Sequence, residues 1–142
     1  MGDELLALPV RLHGIQMGHP VDVLLDRDGL RAIGLDLLCG DEVHRFLPLP
    51  TATVREAEIA IMSPLVLLEE DAAGFYRSRA FTLSSLRGRP VRHKRVAAGT
   101  LSDIVVGGRG ELLAMIVQSE GTRRRIPFDD TIQLAPKSRS AA

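Results

Sequence analysis

Four pairs of residues recur at one spacing along the chain: Gly18 and Gly99, Asp22 and Asp103, Gly29 and Gly110, Gly40 and Gly121, each 81 positions apart. Glycine recurs where a backbone must turn through positive φ, and it cannot be placed arbitrarily without cost. The chain therefore reads as a duplication of one small unit. Leu12-His13-Gly14 is matched to Leu86-Arg87-Gly88, and Arg45 with Pro48 to Arg124 with Pro127 after a two-residue shift.

Each unit carries short apolar, β-branched runs between turn residues, which is a strand pattern. In the second, Ile104-Val105-Val106 and Leu112 to Val117 flank Gly107-Gly108-Arg109-Gly110, a hairpin signal. A turn at Gly121 leads through Arg123-Arg124-Arg125 into Ile126-Pro127-Phe128. In the first, Leu5 to Leu12 contains Pro9 and suits an edge strand or entry segment rather than a central strand. Gly18-His19-Pro20 reads as a turn, followed by a strand at Val21–Leu25. Asp26-Arg27-Asp28-Gly29 is an Asp-Gly turn before Leu30–Leu38, and Val43–Leu49 is a third strand. Glu58–Met62 and Leu65–Leu68 are expected as short strands. Small residues at Asp71-Ala72-Ala73-Gly74 mark the boundary, giving units at 5–70 and 75–136, and residues 137–142 are expected to be a disordered tail.

The boundary is also where charge changes sign. The total is zero, but residues 1–72 carry 5 Arg and 13 Asp or Glu, 5 − 13 = −8, and residues 73–142 carry 13 Lys or Arg and 5 acids, 13 − 5 = +8. Such asymmetry points to a partner. Either the halves neutralise each other, within one chain or between copies, or the basic half meets an acidic surface. Hydrophobic residues make up 45% and aromatics 4%, so a packed core must be built from Leu, Val, Ile and Ala. A single cysteine, Cys39, rules out an internal disulfide framework and fits a reducing, cytoplasmic setting. The apolar run Ile59–Leu68 is broken by Ser63 and Pro64, too short for a transmembrane span, and the acidic start Met1-Gly2-Asp3-Glu4 is unlike a signal peptide.

The second unit resembles the PRC-barrel domain, a small β-barrel found in the photosynthetic reaction-centre H subunit and in a ribosome maturation factor. The resemblance rests on Leu86-Arg87-Gly88-Arg89-Pro90-Val91, Gly99-Thr100-Leu101-Ser102-Asp103-Ile104-Val105-Val106, Gly110, Leu113–Val117 and Arg125-Ile126-Pro127-Phe128, and covers Phe81 to Pro136. The first unit is similar from Leu12 to Leu49, with an opening hairpin about seven residues shorter and Phe46-Leu47-Pro48-Leu49 in place of the Arg-Ile-Pro-Phe ending. The resemblance implies an all-β chain of two tandem six-stranded barrels packed together. It also implies a non-enzymatic role as an adaptor, assembly or regulatory module.

No catalytic constellation stands out. Asp26-Arg27-Asp28-Gly29 lacks calcium-loop ligands, because Leu24 and Leu35 fall at the first and last ligand positions. His13, His19, His44 and His93 have no metal spacing, and Cys39 sits where a buried, inert thiol is usual. Gly107-Gly108-Arg109-Gly110 is followed by a strand, whereas a phosphate loop needs a helix there. No enzyme, metal or cofactor is expected.

Two basic clusters remain: Arg87, Arg89, Arg92, Lys94 and Arg95, and then Arg123, Arg124 and Arg125. Strand alternation puts Arg123 and Arg125 on one face and Arg124 on the other. The leading expectation is a module whose basic second unit binds an acidic protein surface, or associates with the acidic half of another copy. RNA binding is the alternative, weakened by the lack of a stacking platform beyond Phe75, Tyr76, Phe81 and Phe128. A membrane- or quinone-associated accessory subunit is a third expectation, carried by the resemblance alone.

Overall fold

The computed structural model describes residues 2–27, 30–69, 74–76, 78–107 and 110–134. The turn residues Asp28 and Gly29, the boundary residues 71–73, Gly108-Arg109 and the tail lie outside the described residues.

The chain is β-rich and builds two sheets. The first has seven strands: β1 (Val10–Leu12), β2 (Ile15–Asp26), β3 (Ala32–Cys39), β4 (His44–Pro48), β5 (Ala52–Val54), β6 (Ile59–Ile61) and β7 (Ala80–Thr82). The second has five: β8 (Pro90–His93), β9 (Val96–Val106), β10 (Leu112–Ser119), β11 (Thr122–Pro127) and β12 (Ile132–Leu134). Two short helices, α1 (Gly2–Leu6) and α2 (Leu83–Leu86), precede β1 and β8.

Strand order is alike in the two sheets over four strands. The first sheet runs β4-β3-β2-β1-β6-β5 and the second β11-β10-β9-β8-β12. Registers agree residue by residue. Val23 opposes Leu35 as Ile104 opposes Met115, and Leu35 opposes Leu47 as Met115 opposes Ile126. Leu37 opposes Arg45 as Val117 opposes Arg124, so the proposed match of Arg45 and Pro48 to Arg124 and Pro127 holds. Even the irregularities coincide: the ladder skips Val21 between Pro20 and Asp22, and Ser102 between Leu101 and Asp103. A bulge of this kind sharpens strand twist, and both ladders carry one at the same place.

Three sequence expectations are corrected. Gly18-His19-Pro20 is not a turn, because β2 runs straight through it. Gly18 is needed for close approach: a Cβ there would lie 2.7 Å from the Leu38 carbonyl oxygen. Pro64–Val66 is a 3₁₀ turn rather than a strand, and Leu68 makes a single antiparallel bridge to Phe46. The two opening hairpins are equal in length. Leu12 opposes Ile15 across His13-Gly14, and His93 opposes Val96 across Lys94-Arg95. The counterpart of Leu12-His13-Gly14 is therefore His93-Lys94-Arg95. Matching glycine to glycine pointed instead at Leu86-Arg87-Gly88, which follows α2 as Leu5-Leu6-Ala7 closes α1.

Both hairpins use two-residue turns with positive φ at each position, the geometry that suits twisted strands. The first spends a glycine on it, Gly14 at φ 82°, whereas Lys94 and Arg95 adopt φ 52° and 66° without one. A left-handed non-glycine residue costs about 1–2 kcal/mol. Arg95→Gly is expected to stabilise the chain by about 1 kcal/mol, raising the melting temperature by roughly 2–5 °C in a calorimetric scan.

One apolar core serves both repeats. Val10, Leu25 and Leu35 of the first sheet, Leu83 and Leu86 of α2, and Leu101, Ile104 and Met115 of the second belong to a single cluster of buried side chains. The repeats also interlock. β7 pairs with β2, setting Leu25 opposite Phe81 and Asp26 opposite Ala80. The Ala32 N–H donates to the Gly110 carbonyl at 2.7 Å. Asp22 accepts from the backbone N–H of Ser84 at 3.1 Å and from the Ser84 hydroxyl, at the first turn of α2. Its counterpart Asp103 is fully buried, accepts from the Ile104 N–H at 2.8 Å, and lies 3.8 Å from the Arg87 guanidinium. A buried carboxylate needs such partners.

Candidate functional site: an arginine-bearing sheet edge

β11 is the outer strand of the second sheet, with β10 on one side of it. Its two edges differ in what the backbone offers. The Phe128 N–H donates to the Leu113 carbonyl at 2.9 Å, which makes Pro127 and Ala114 a non-hydrogen-bonded pair. Alternation along an antiparallel ladder then assigns Thr122, Arg124 and Ile126 to the hydrogen-bonded pairs. The main-chain N–H and C=O of Arg123 and Arg125 point away from β10, toward the open edge.

All three arginines are exposed, whichever face they occupy. Arg124 shares a face with Val117, a core residue, and reaches solvent because β11 is the last strand. Arg123 and Arg125 lie on the other face with Gln118 and Ile116. None of the three side chains enters a hydrogen bond or ion pair among the described residues. Like charges side by side with no counter-charge keep an edge from pairing indiscriminately. They also offer a carboxylate up to five donors each.

The other basic cluster is not gathered onto this edge. Arg87 is set beside Asp103, and Arg89 lies over the ring of Phe81 at 5.3 Å, with Arg27 over the same ring at 4.9 Å. The Arg92 guanidinium donates to the Arg95 carbonyl at 3.0 Å and ties down its own hairpin turn. Lys94 and Arg95 are exposed at the hairpin tip. Because β9 and β10 are antiparallel, that tip and the Glu120-Gly121 turn before β11 lie at the same end of the sheet.

The first repeat holds the equivalent strand in a different condition. In β4, Arg45 stands where β11 has Arg124, and Phe46 where β11 has Arg125. Phe46 and Leu68 exchange both main-chain hydrogen bonds, at 2.9 and 2.8 Å. The next residue, Glu69, accepts from Arg45 Nε at 3.0 Å, while Asp41 accepts from both terminal nitrogens of Arg45 at 2.9 and 2.8 Å. This bidentate pair holds the Asp41 carboxyl down at about 2 and pushes the Arg45 guanidinium higher still. Sequence reasoning missed the arrangement. Its signal was available in the Arg45–Arg124 match and in the acidic run after Leu68.

Two cavities accompany these features. One of about 420 Å³ lies beside Arg45 and is lined by Gln16, Met17, Cys39 and Leu67. Another, of about 850 Å³, runs between α1, β5 and the end of β9, floored by Leu5, Leu8, Leu49 and Val106. Among the described residues no group of three His, Cys, Asp or Glu could hold a metal ion, and Cys39 is buried. His44 lies 3.2 Å from Asp36, and His93 lies 3.5 Å from Asp129. The carboxyl of Asp129 is lowered by hydrogen bonds from the Thr131 hydroxyl and N–H, and then by His93. Among the described residues no helix is long and apolar enough to cross a membrane. No protein-family model matches the chain, and no curated protein matches it.

Proposed function

We propose that the chain is a non-enzymatic adaptor made of two PRC-barrel-like repeats, which binds an acidic protein surface through the basic second repeat. The observation that carries this reading is the run of three exposed arginines on β11 with no counter-charge among the described residues. Lys94 and Arg95 at the same end of the sheet extend the positive surface. The order and register that β4-β3-β2-β1 shares with β11-β10-β9-β8 support descent of both from one small β unit, although β6 runs parallel to β1 and β12 antiparallel to β8. The acidic half has its own ion pairs, Arg11 with Glu58 and Arg45 with Asp41 and Glu69.

Poly-glutamate is the direct probe, titrated at increasing salt and followed by fluorescence anisotropy. Binding that weakens steeply with salt is expected, because exposed charges are screened over about 10 Å at 0.1 M. Arg123→Glu with Arg125→Glu is expected to abolish it while leaving the melting temperature nearly unchanged, since neither side chain is packed in the core. Single-stranded RNA run in parallel separates an acidic-protein surface from a nucleic-acid one. Binding of RNA alone would overturn the proposal.

A further inference from the structure

The first repeat already contains a strand edge filled by an acidic segment. Leu68 takes both outward-facing main-chain groups of Phe46, and Glu69 places its carboxylate on Arg45. In β11 the same two positions are Arg125, whose outward main-chain groups meet no partner among the described residues, and Arg124, whose guanidinium meets no carboxylate among them. The two edges are built alike, and among the described residues only that of β4 is filled.

We propose that β11 captures an extended acidic segment of a partner protein by antiparallel strand addition, in the manner in which β4 holds Leu68-Glu69 within the chain. The proposal rests on the reading of this face as an acidic-protein site and adds the mode of capture. One ligand residue exchanges main-chain hydrogen bonds with Arg125, and the residue after it presents a carboxylate to Arg124. Ligand residues on the opposite face of the added strand meet Arg123 and Arg125, so acids at alternate positions satisfy that pair. Main-chain bonds then supply affinity, and the arginines on both faces select charge. An apolar strand is rejected because it would leave three guanidinium groups crowded without counter-charge.

The probe is a fluorescein-labelled peptide with the sequence of residues 64–71, Pro-Leu-Val-Leu-Leu-Glu-Glu-Asp, added to the full chain. A second peptide carries an N-methyl group on the leucine that matches Leu68, keeping its charge and removing its main-chain donor. The unmodified peptide is expected to bind and to slow amide exchange at Arg123 and Arg125. The amides of Thr122 and Arg124, already bonded to β10, should change little. N-methylation is expected to weaken binding about tenfold, the effect of losing one well-formed hydrogen bond. Arg124→Glu should weaken it at least as much, with the far-ultraviolet dichroism unchanged. Equal binding of both peptides, or binding without protection at Arg123 and Arg125, would falsify strand addition while leaving a charge-driven acidic-protein site intact. Failure of both peptides alongside binding of poly-glutamate likewise overturns strand addition and keeps the charge-driven site. Failure of the peptides and of poly-glutamate together removes both proposals.

Discussion

Residues 1–70 and 75–136, produced as separate polypeptides, are each expected to show no cooperative unfolding transition, whereas the full chain unfolds in one. Units of about 65 residues bury only about 60% of the surface that their unfolded chains expose, which leaves little margin. Here the margin is smaller still, because each unit depends on the other to close its core. Without the second half, β2 loses β7 from its end and Leu25 and Leu35 lose Leu83 and Leu86 from above them. Without the first, the cluster that holds Leu101, Ile104 and Met115 loses Val10, Leu25, Leu35 and the other members from that half. Exposing one such side chain costs about 1.5–3 kcal/mol, and several are uncovered at once in either fragment. Differential scanning calorimetry of the two fragments and the intact chain is the measurement. Two independent transitions in the intact chain, each reproduced by a fragment, would sink the idea of a common core.

Gly99→Ala is expected to destabilise the chain by at least about 3 kcal/mol, enough to unfold a large fraction of a marginal domain at room temperature. Gly99 has φ 131°, where a side chain is strongly disfavoured. A Cβ there would sit 2.3 Å from the Gln118 carbonyl oxygen and 2.8 Å from Val117 Cγ1. Neither neighbour can withdraw. The Gln118 backbone is part of the β9–β10 ladder, and Val117 is packed in the core. Chemical denaturation should show a lower midpoint with an unchanged slope. Gly40→Ala, at a position with open space around it, serves as the matched control.

Gly99 and its partner Gly18 also show why so much of the fold was legible in the sequence. A steric demand of the sheet allows only glycine, and two copies of the sheet repeat the demand at a fixed distance. Asp22 and Asp103 were legible for a similar reason. Each follows the bulged residue, and each accepts the N–H of the residue after it. The two-residue shift between Arg45 and Arg124 has a local cause. The β3–β4 turn, Gly40–Val43, is longer by two residues than Glu120-Gly121 between β10 and β11. Glycine misled where a turn does without it. Lys94 and Arg95 make the same turn as His13 and Gly14, which hid the counterpart of the opening hairpin. The segment from Pro64 to Glu69 was less legible again. Its conformation is set by what it touches, Phe46 and Arg45, and the acidic run after Leu68 does not by itself say which strand it meets. The basic residues were legible as a set and not as a site, because Arg87, Arg89 and Arg92 are taken up by Asp103, Phe81 and the Arg95 carbonyl.

The bridge between Phe46 and Leu68 has a consequence for stoichiometry. A symmetric pairing of two identical repeats would present two equivalent edges, and could join two ligands or grow into a chain of them. In this chain the edge of β4 is occupied from within. Of these two edges, that of β11 carries no added strand among the described residues. Under the proposed strand addition the molecule would be monovalent through this edge: it would take up one partner segment and terminate there, as a cap does, instead of cross-linking.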